Sequence, residues 1–217
     1  MVSRKKQLRP GPEGGVRDTN RRERSKVLCD AGLRLFLVHG IDGVTIDDIT
    51  SEAGVAKGSF YRYFDDKAAL VDALLAPVRG ELLGGLATCA RALEAARNVE
   101  AMFDAYRAVA RLLAGAVLTH SGVVRLYLQE SRGAPSGARS KISELSDQIA
   151  KQAILVTRKA HTHKLLRPVH PAVSALAVVG AVERLLLAVL REEDVGNPLE
   201  IPDALTSIIL DGLRRPG

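Results

Sequence analysis

From Val27 to Leu213 apolar side chains return every third or fourth residue, and no stretch of useful length alternates apolar with polar residues. A chain patterned this way buries its apolar faces by packing helix on helix, so an all-α fold of about nine helices is expected. The interruptions set their order. Val27, Leu28, Ala31, Leu35 and Val38, widened by Leu33, Phe36 and Leu37, form a first stripe that starts after Arg21 and that His39-Gly40 ends. Thr45 is placed as an N-cap with Asp48 three residues on, and Ile46, Ile49 and Ala53 line a short helix that stops at Gly54. A third helix follows the Gly54-Val55 turn, with Phe60 and Phe64 one turn apart toward the core. Two short helices joined through a glycine turn read as a helix-turn-helix.

Beyond Lys67 the pattern stays helical. Leu70, Leu74, Leu75, Leu82, Leu83 and Leu86 carry one long element, which Pro77 can bend. Further helices are expected over Val99–Thr119, Val123–Glu130, Ile142–Lys164, Ala172–Arg191 and Pro202–Leu213, parted by Gly133–Gly137, Arg167–Pro171 and Gly196–Pro198. No internal repeat is visible. The chain therefore divides into a flexible basic arm (1–20), a helix-turn-helix domain (21–66) and a larger helical domain (67–217).

Composition narrows the class. The 217 residues are 47% apolar and 26% charged, the balance of a soluble globular protein. Cys29 and Cys89 are too few for a disulfide framework and lack metal-ligand spacing, which suits a reducing cytoplasm. Met1–Pro12 is basic without an apolar run behind it, so no signal peptide is expected. The most apolar segment, Ala172–Leu190, is broken by Glu183-Arg184 and reads as a buried helix rather than a membrane span. The net charge of +6 is uneven: +5 over residues 1–24, −2 over 25–67 and +3 over the remainder. Affinity for an acidic partner must then rest on a few placed residues and on the arm, around Arg4, Lys5, Lys6 and Arg9.

The run from Gly40 to Leu70 carries a more specific signal. Phe36 and Gly40 close the first helix; Thr45, Asp48-Ile49, Ala53-Gly54-Val55, Gly58-Ser59-Phe60-Tyr61, Tyr63-Phe64, Lys67 and Leu70 follow. This spacing resembles the DNA-binding module of the tetracycline-repressor (TetR) family of bacterial transcription regulators. The detailed likeness covers about a quarter of the chain, and the rest agrees in helix order and length. Two positions depart from the family pattern. Thr50 stands where alanine is usual, and its hydroxyl can bond back to a carbonyl. Ala56 stands where a serine often caps the recognition helix, a loss of about 1 kcal/mol.

With Phe60 and Phe64 turned inward, Gly58 and Arg62, flanked by Ser59 and Tyr61, should face the duplex. Gly58 permits close backbone approach, Ser59 and Tyr61 can bond bases or phosphates, and Arg62 can read guanine bidentately. The resemblance implies phosphate or groove-edge contacts for Lys57, Tyr63 and Lys67, and Thr45 could offer its N–H or hydroxyl to a phosphate. It also implies a homodimer on a palindromic operator, held by the last two long helices through Ala175, Leu176, Val179, Gly180, Leu187, Ile208 and Ile209, although each could equally be intrachain core. A small-molecule effector would enter the larger domain near Phe103, Tyr106, Arg125, Tyr127 and Gln129. Without Trp, an apolar or weakly acidic effector fits better than a bulky cation, and repression is the commoner outcome in the family.

Other readings rank lower. His161 and His163 project to opposite sides of a helix and, with His170, make a poor metal site, so neither a metal-dependent enzyme nor a cofactor is expected. No phosphate loop, nucleophile elbow or carboxylate pair is present. A helical dimeric adaptor without DNA binding is the remaining alternative.

Overall fold

The computed structural model describes the backbone of residues 16–162 and 168–213, and the side chains of 21–162 and 168–208. Arg4, Lys5, Lys6, Arg9 and His163, and the side chain of Ile209, lie outside the described residues. The described residues form eight α-helices and one 3-10 turn: α1 (Val16–His39), α2 (Ile46–Glu52), α3 (Lys57–Phe60), α4 (Lys67–Ala95), α5 (Val99–Glu130), the turn Gly137–Arg139, α6 (Ser140–His161), α7 (Pro171–Leu190) and α8 (Ile201–Leu213).

Local chemistry explains most boundaries. Gly40 ends α1 at φ +73°, and Gly54 follows α2 at φ +64°, the left-handed region where a Cβ is costly. Asp66 accepts the Ala69 N–H at 2.7 Å, and Asn98 accepts that of Ala101 at 2.9 Å. His170 Nδ1 accepts the Ala172 N–H, and Pro171 occupies the first turn of α7.

Three expectations need correction. First, α1 starts at Val16, so the last five residues assigned to the arm are helical. In α1, Leu28, Ala31 and Phe36 point inward, whereas Val38 is 74% exposed and Val27 also faces out. Second, the segments 99–119 and 123–130 are two arms of one rod, kinked at His120 (φ −130°, ψ 35°). Third, α7 is not buried within the chain. Its mean hydropathy reaches 2.1, enough with its length to cross a bilayer, yet 17% of that segment is buried; α5 passes the same length and composition test.

Two cores result. The first joins Leu28, Phe36, Ile41, Ile49, Phe60 and Leu70 to Leu126, Ile142 and Leu145. It therefore crosses the boundary at residue 66, and the lower arm of α5 packs with the helix-turn-helix. The second gathers Leu86, Cys89, Leu93, Met102, Val156 and Ala160 at the other end of α4 and α6. Burial pushes both thiols up to about 11, so they stay protonated at neutral pH.

Candidate nucleic-acid interface

The short helices α2 and α3 depend on one aromatic anchor. Phe60 is fully buried, with its ring 5.6 Å from those of Tyr61 and Phe64, and Ile49 seals the α2 side. The backbone turns at 61–63 and enters α4. This fixed inner side leaves Lys57, Gly58, Tyr61 and Arg62 on the outside, with Ser59 and Tyr63 half-buried beside them. A Cβ at Gly58 would meet nothing within 4 Å, so a flat surface can approach the backbone there. Arg62 is exposed and has no ion-pair partner among the described residues.

The flanking residues are more committed than expected. The Thr45 hydroxyl accepts the Asp48 N–H at 3.2 Å and donates to Asp48 Oδ2 at 2.6 Å, and the Thr45 N–H donates to the same oxygen at 2.8 Å. Both groups considered for phosphate are thus used in the capping box, which closes as its spacing predicts. These bonds hold the Asp48 carboxyl below the ordinary carboxylate range, so the box is intact above that range and is lost as the pH falls below it. Thr50, buried, donates to the Asp47 carbonyl at 3.1 Å, as its hydroxyl requires. Ala56 leaves α3 without a side-chain cap. Lys57 pairs with Asp47 at 2.7 Å, both ends exposed, which raises the lysine pKa but leaves the ammonium free to exchange partners.

Lys67 is turned inward. Its ammonium donates to the Ile41 carbonyl at 2.6 Å and the Val44 carbonyl at 2.7 Å, so its geometry serves the loop before α2 rather than a groove edge. Residues that the motif did not point to hold the same loop from the other side. Glu130 accepts the Ile41 N–H at 3.2 Å and Arg139 Nε at 2.6 Å, and Arg139 also reaches Asp42 at 3.0 Å. One signal was legible: Glu130 follows the fully buried Leu126 by one helical turn, which puts a carboxylate on an apolar face.

The residues expected to line a pocket do not meet. Phe103 and Tyr106 are half-buried against the second core. Tyr127 is buried near the far end of α5, where its hydroxyl donates to Glu183 at 2.7 Å. Arg125 and Gln129 face outward, because residues two apart on a helix cannot share a face with Tyr127. A cavity of about 550 Å³ opens instead between α5 and α8, lined by Phe103, Arg107, Arg111, Asp203, Thr206 and Ser207. Arg107 lies over the Phe103 ring at 5.5 Å and pairs with Asp104.

The residues expected to dimerise divide as well. Ala175 is buried within the chain, Val179 and Leu187 pack on the first core, and Gly180 is half-exposed. Leu176 and Ile208 are exposed, at 49% and 70%.

Comparison with known proteins gives this geometry relatives. The repressor KstR2 of Rhodococcus jostii is 37% identical over 57 residues, 26% of this chain and 28% of its own. Matches to curated relatives of this kind span 17 to 41% of the relatives' lengths. Two solved structures share the fold: NalD, the secondary repressor of the MexAB-OprM efflux pump in Pseudomonas aeruginosa, and FadR of Bacillus subtilis in complex with stearoyl-CoA. NalD superposes with TM-score 0.69 at 17% identity, over 92% of this chain and 100% of its own. FadR superposes with TM-score 0.66 at 12% identity, over 86% and 98%. The family model for bacterial regulatory proteins of the tetR family matches residues 28–74, from the inner face of α1 to the first turns of α4. Residues 28–74 thus carry the signature of the tetR family of bacterial regulatory proteins, set in a fold that NalD and FadR share along most of this chain.

Proposed function

We propose that this protein is a cytoplasmic DNA-binding transcription repressor that reads a palindromic operator as a homodimer and is released by a small acidic, largely apolar effector. The observation that carries the reading is the exposed row Lys57, Gly58, Tyr61 and Arg62 on a turn whose other side is anchored by Phe60. One such turn spans only a few base pairs, so useful specificity calls for two, related by a two-fold axis. The apolar face of α7 and α8 supports the dimer: Leu176, Ile208 and their neighbours are left uncovered by one chain.

The effector reading rests on the cavity between α5 and α8. Arg111 has no ion-pair partner among the described residues, and with Arg107, which lies over the Phe103 ring, it brings two guanidiniums to the lining. That lining favours a carboxylate or phosphate with an apolar body over a quaternary ammonium. The FadR neighbour holds a ligand of this description, stearoyl-CoA. An effector acts only by binding the DNA-incompetent state more tightly.

Selection of bound duplexes from a random pool should enrich a palindrome. Arg62→Ala should weaken binding to it by about 10- to 100-fold, the value of one bidentate base contact. Long-chain fatty acids should release the complex where tetraalkylammonium ions do not. A pool with no enriched sequence, from a protein that is still dimeric, would favour the adaptor. Enrichment with unchanged Arg62→Ala binding would move base reading off α3.

A further inference from the structure

We propose that Glu130 and Arg139, both outside the matched residues 28–74, are positioning residues for DNA reading: they grip the loop before α2 and set how the helix-turn-helix sits on the larger domain. The inference rests on the DNA-binding reading above. Glu130, 8% exposed at the last turn of α5, spends one oxygen on the Ile41 N–H and the other on Arg139. Arg139, brought up by the 3-10 turn, spans from Glu130 to Asp42. Ile41 and Asp42 are thus held from the larger domain, while Lys67 takes the carbonyls of Ile41 and Val44. The loop has little freedom left.

Two glycines leave room for this grip. A Cβ at Gly40, where φ is +73°, would come within 3.2 Å of Glu130 Oε1. A Cβ at Gly133 would come within 2.9 Å of the Arg139 side chain. The choice of groups points the same way. An ion pair this buried gains little stability over an apolar pair of similar volume, because desolvation offsets the attraction. What the charges add is direction: the guanidinium fixes two carboxylates relative to one another, one on α5 and one on the loop. In a dimer, a small tilt of each helix-turn-helix changes the distance between the two reading turns, so the grip should appear in the tolerated half-site separation.

The test uses the full chain and its selected palindrome, with the half-sites at their native separation and one base pair closer or farther apart. Glu130→Gln keeps an acceptor for Ile41 but gives up the charge that holds Arg139. Gly133→Ala keeps every charge and displaces the guanidinium. Ile149→Val, in the same core but ten residues along α6 from Arg139, controls for lost stability. Both loop variants should lose roughly tenfold in affinity at the native separation, a typical coupling between sites, and bind the three spacings more equally. The control should lower Tm and keep the wild-type preference. Loop variants that match the control in both affinity and preference would overturn the proposal alone. A wild-type chain that enriches no sequence would refute the DNA-binding reading first, and the proposal with it.

Discussion

Lys67→Met is expected to lower the unfolding free energy by about 2 to 4 kcal/mol while barely changing the salt dependence of whatever DNA binding survives. The ammonium serves the Ile41 and Val44 carbonyls, and both residues are almost fully buried. Methionine fills a similar volume but donates nothing. Two acceptors then lose their partners, each at about 1 to 3 kcal/mol. The midpoint of urea unfolding reads the loss directly. Had Lys67 been a phosphate contact, the substitution would leave stability alone and lower the slope of log affinity against log salt by about one. The two roles thus predict opposite results in two simple measurements.

Phe60→Ala should be costlier still, about 3 to 5 kcal/mol, the usual range for removing a fully buried ring. The site cannot collapse cheaply, because Phe60 is the wedge between α2, α3 and the start of α4, with the Tyr61 and Phe64 rings resting on it. Against a total stability of about 5 to 15 kcal/mol, such a loss should unfold the reading head near ambient temperature. Specific DNA binding should vanish although no group expected to touch DNA has changed. Calorimetry should show a first transition moved far down in temperature, with the second core of α4, α5 and α6 melting later. A cost below about 1 kcal/mol would mean that neighbouring side chains fill the space, and that the anchor lies elsewhere.

The helix-turn-helix was legible because its determinants are local. Thr45 and Asp48 meet across one helical turn, Thr50 reaches the carbonyl three residues back, and Gly54 answers to its own φ. Each interaction closes within four residues, where chain geometry leaves little choice. Phe60 and Phe64 follow from the helical period, and so does the outward placement of Gly58 and Arg62. The expected pocket failed for the opposite reason. Phe103 and Tyr127 belong to one helix, but the distance between them and the kink at His120 put them in different surroundings. Composition named plausible side chains and said nothing of which would converge.

Sequence alone therefore determined an all-helical chain, a helix-turn-helix near its start, and the row of residues that this module turns outward. Tertiary structure decided that Lys67 braces a loop, that Glu130 and Arg139 hold the same loop from the larger domain, and that α7 keeps an apolar face which one chain does not cover. Lys67 lies 26 residues from Ile41, and Glu130 lies 89. Contacts across such spans depend on how whole helices pack, which no local periodicity encodes.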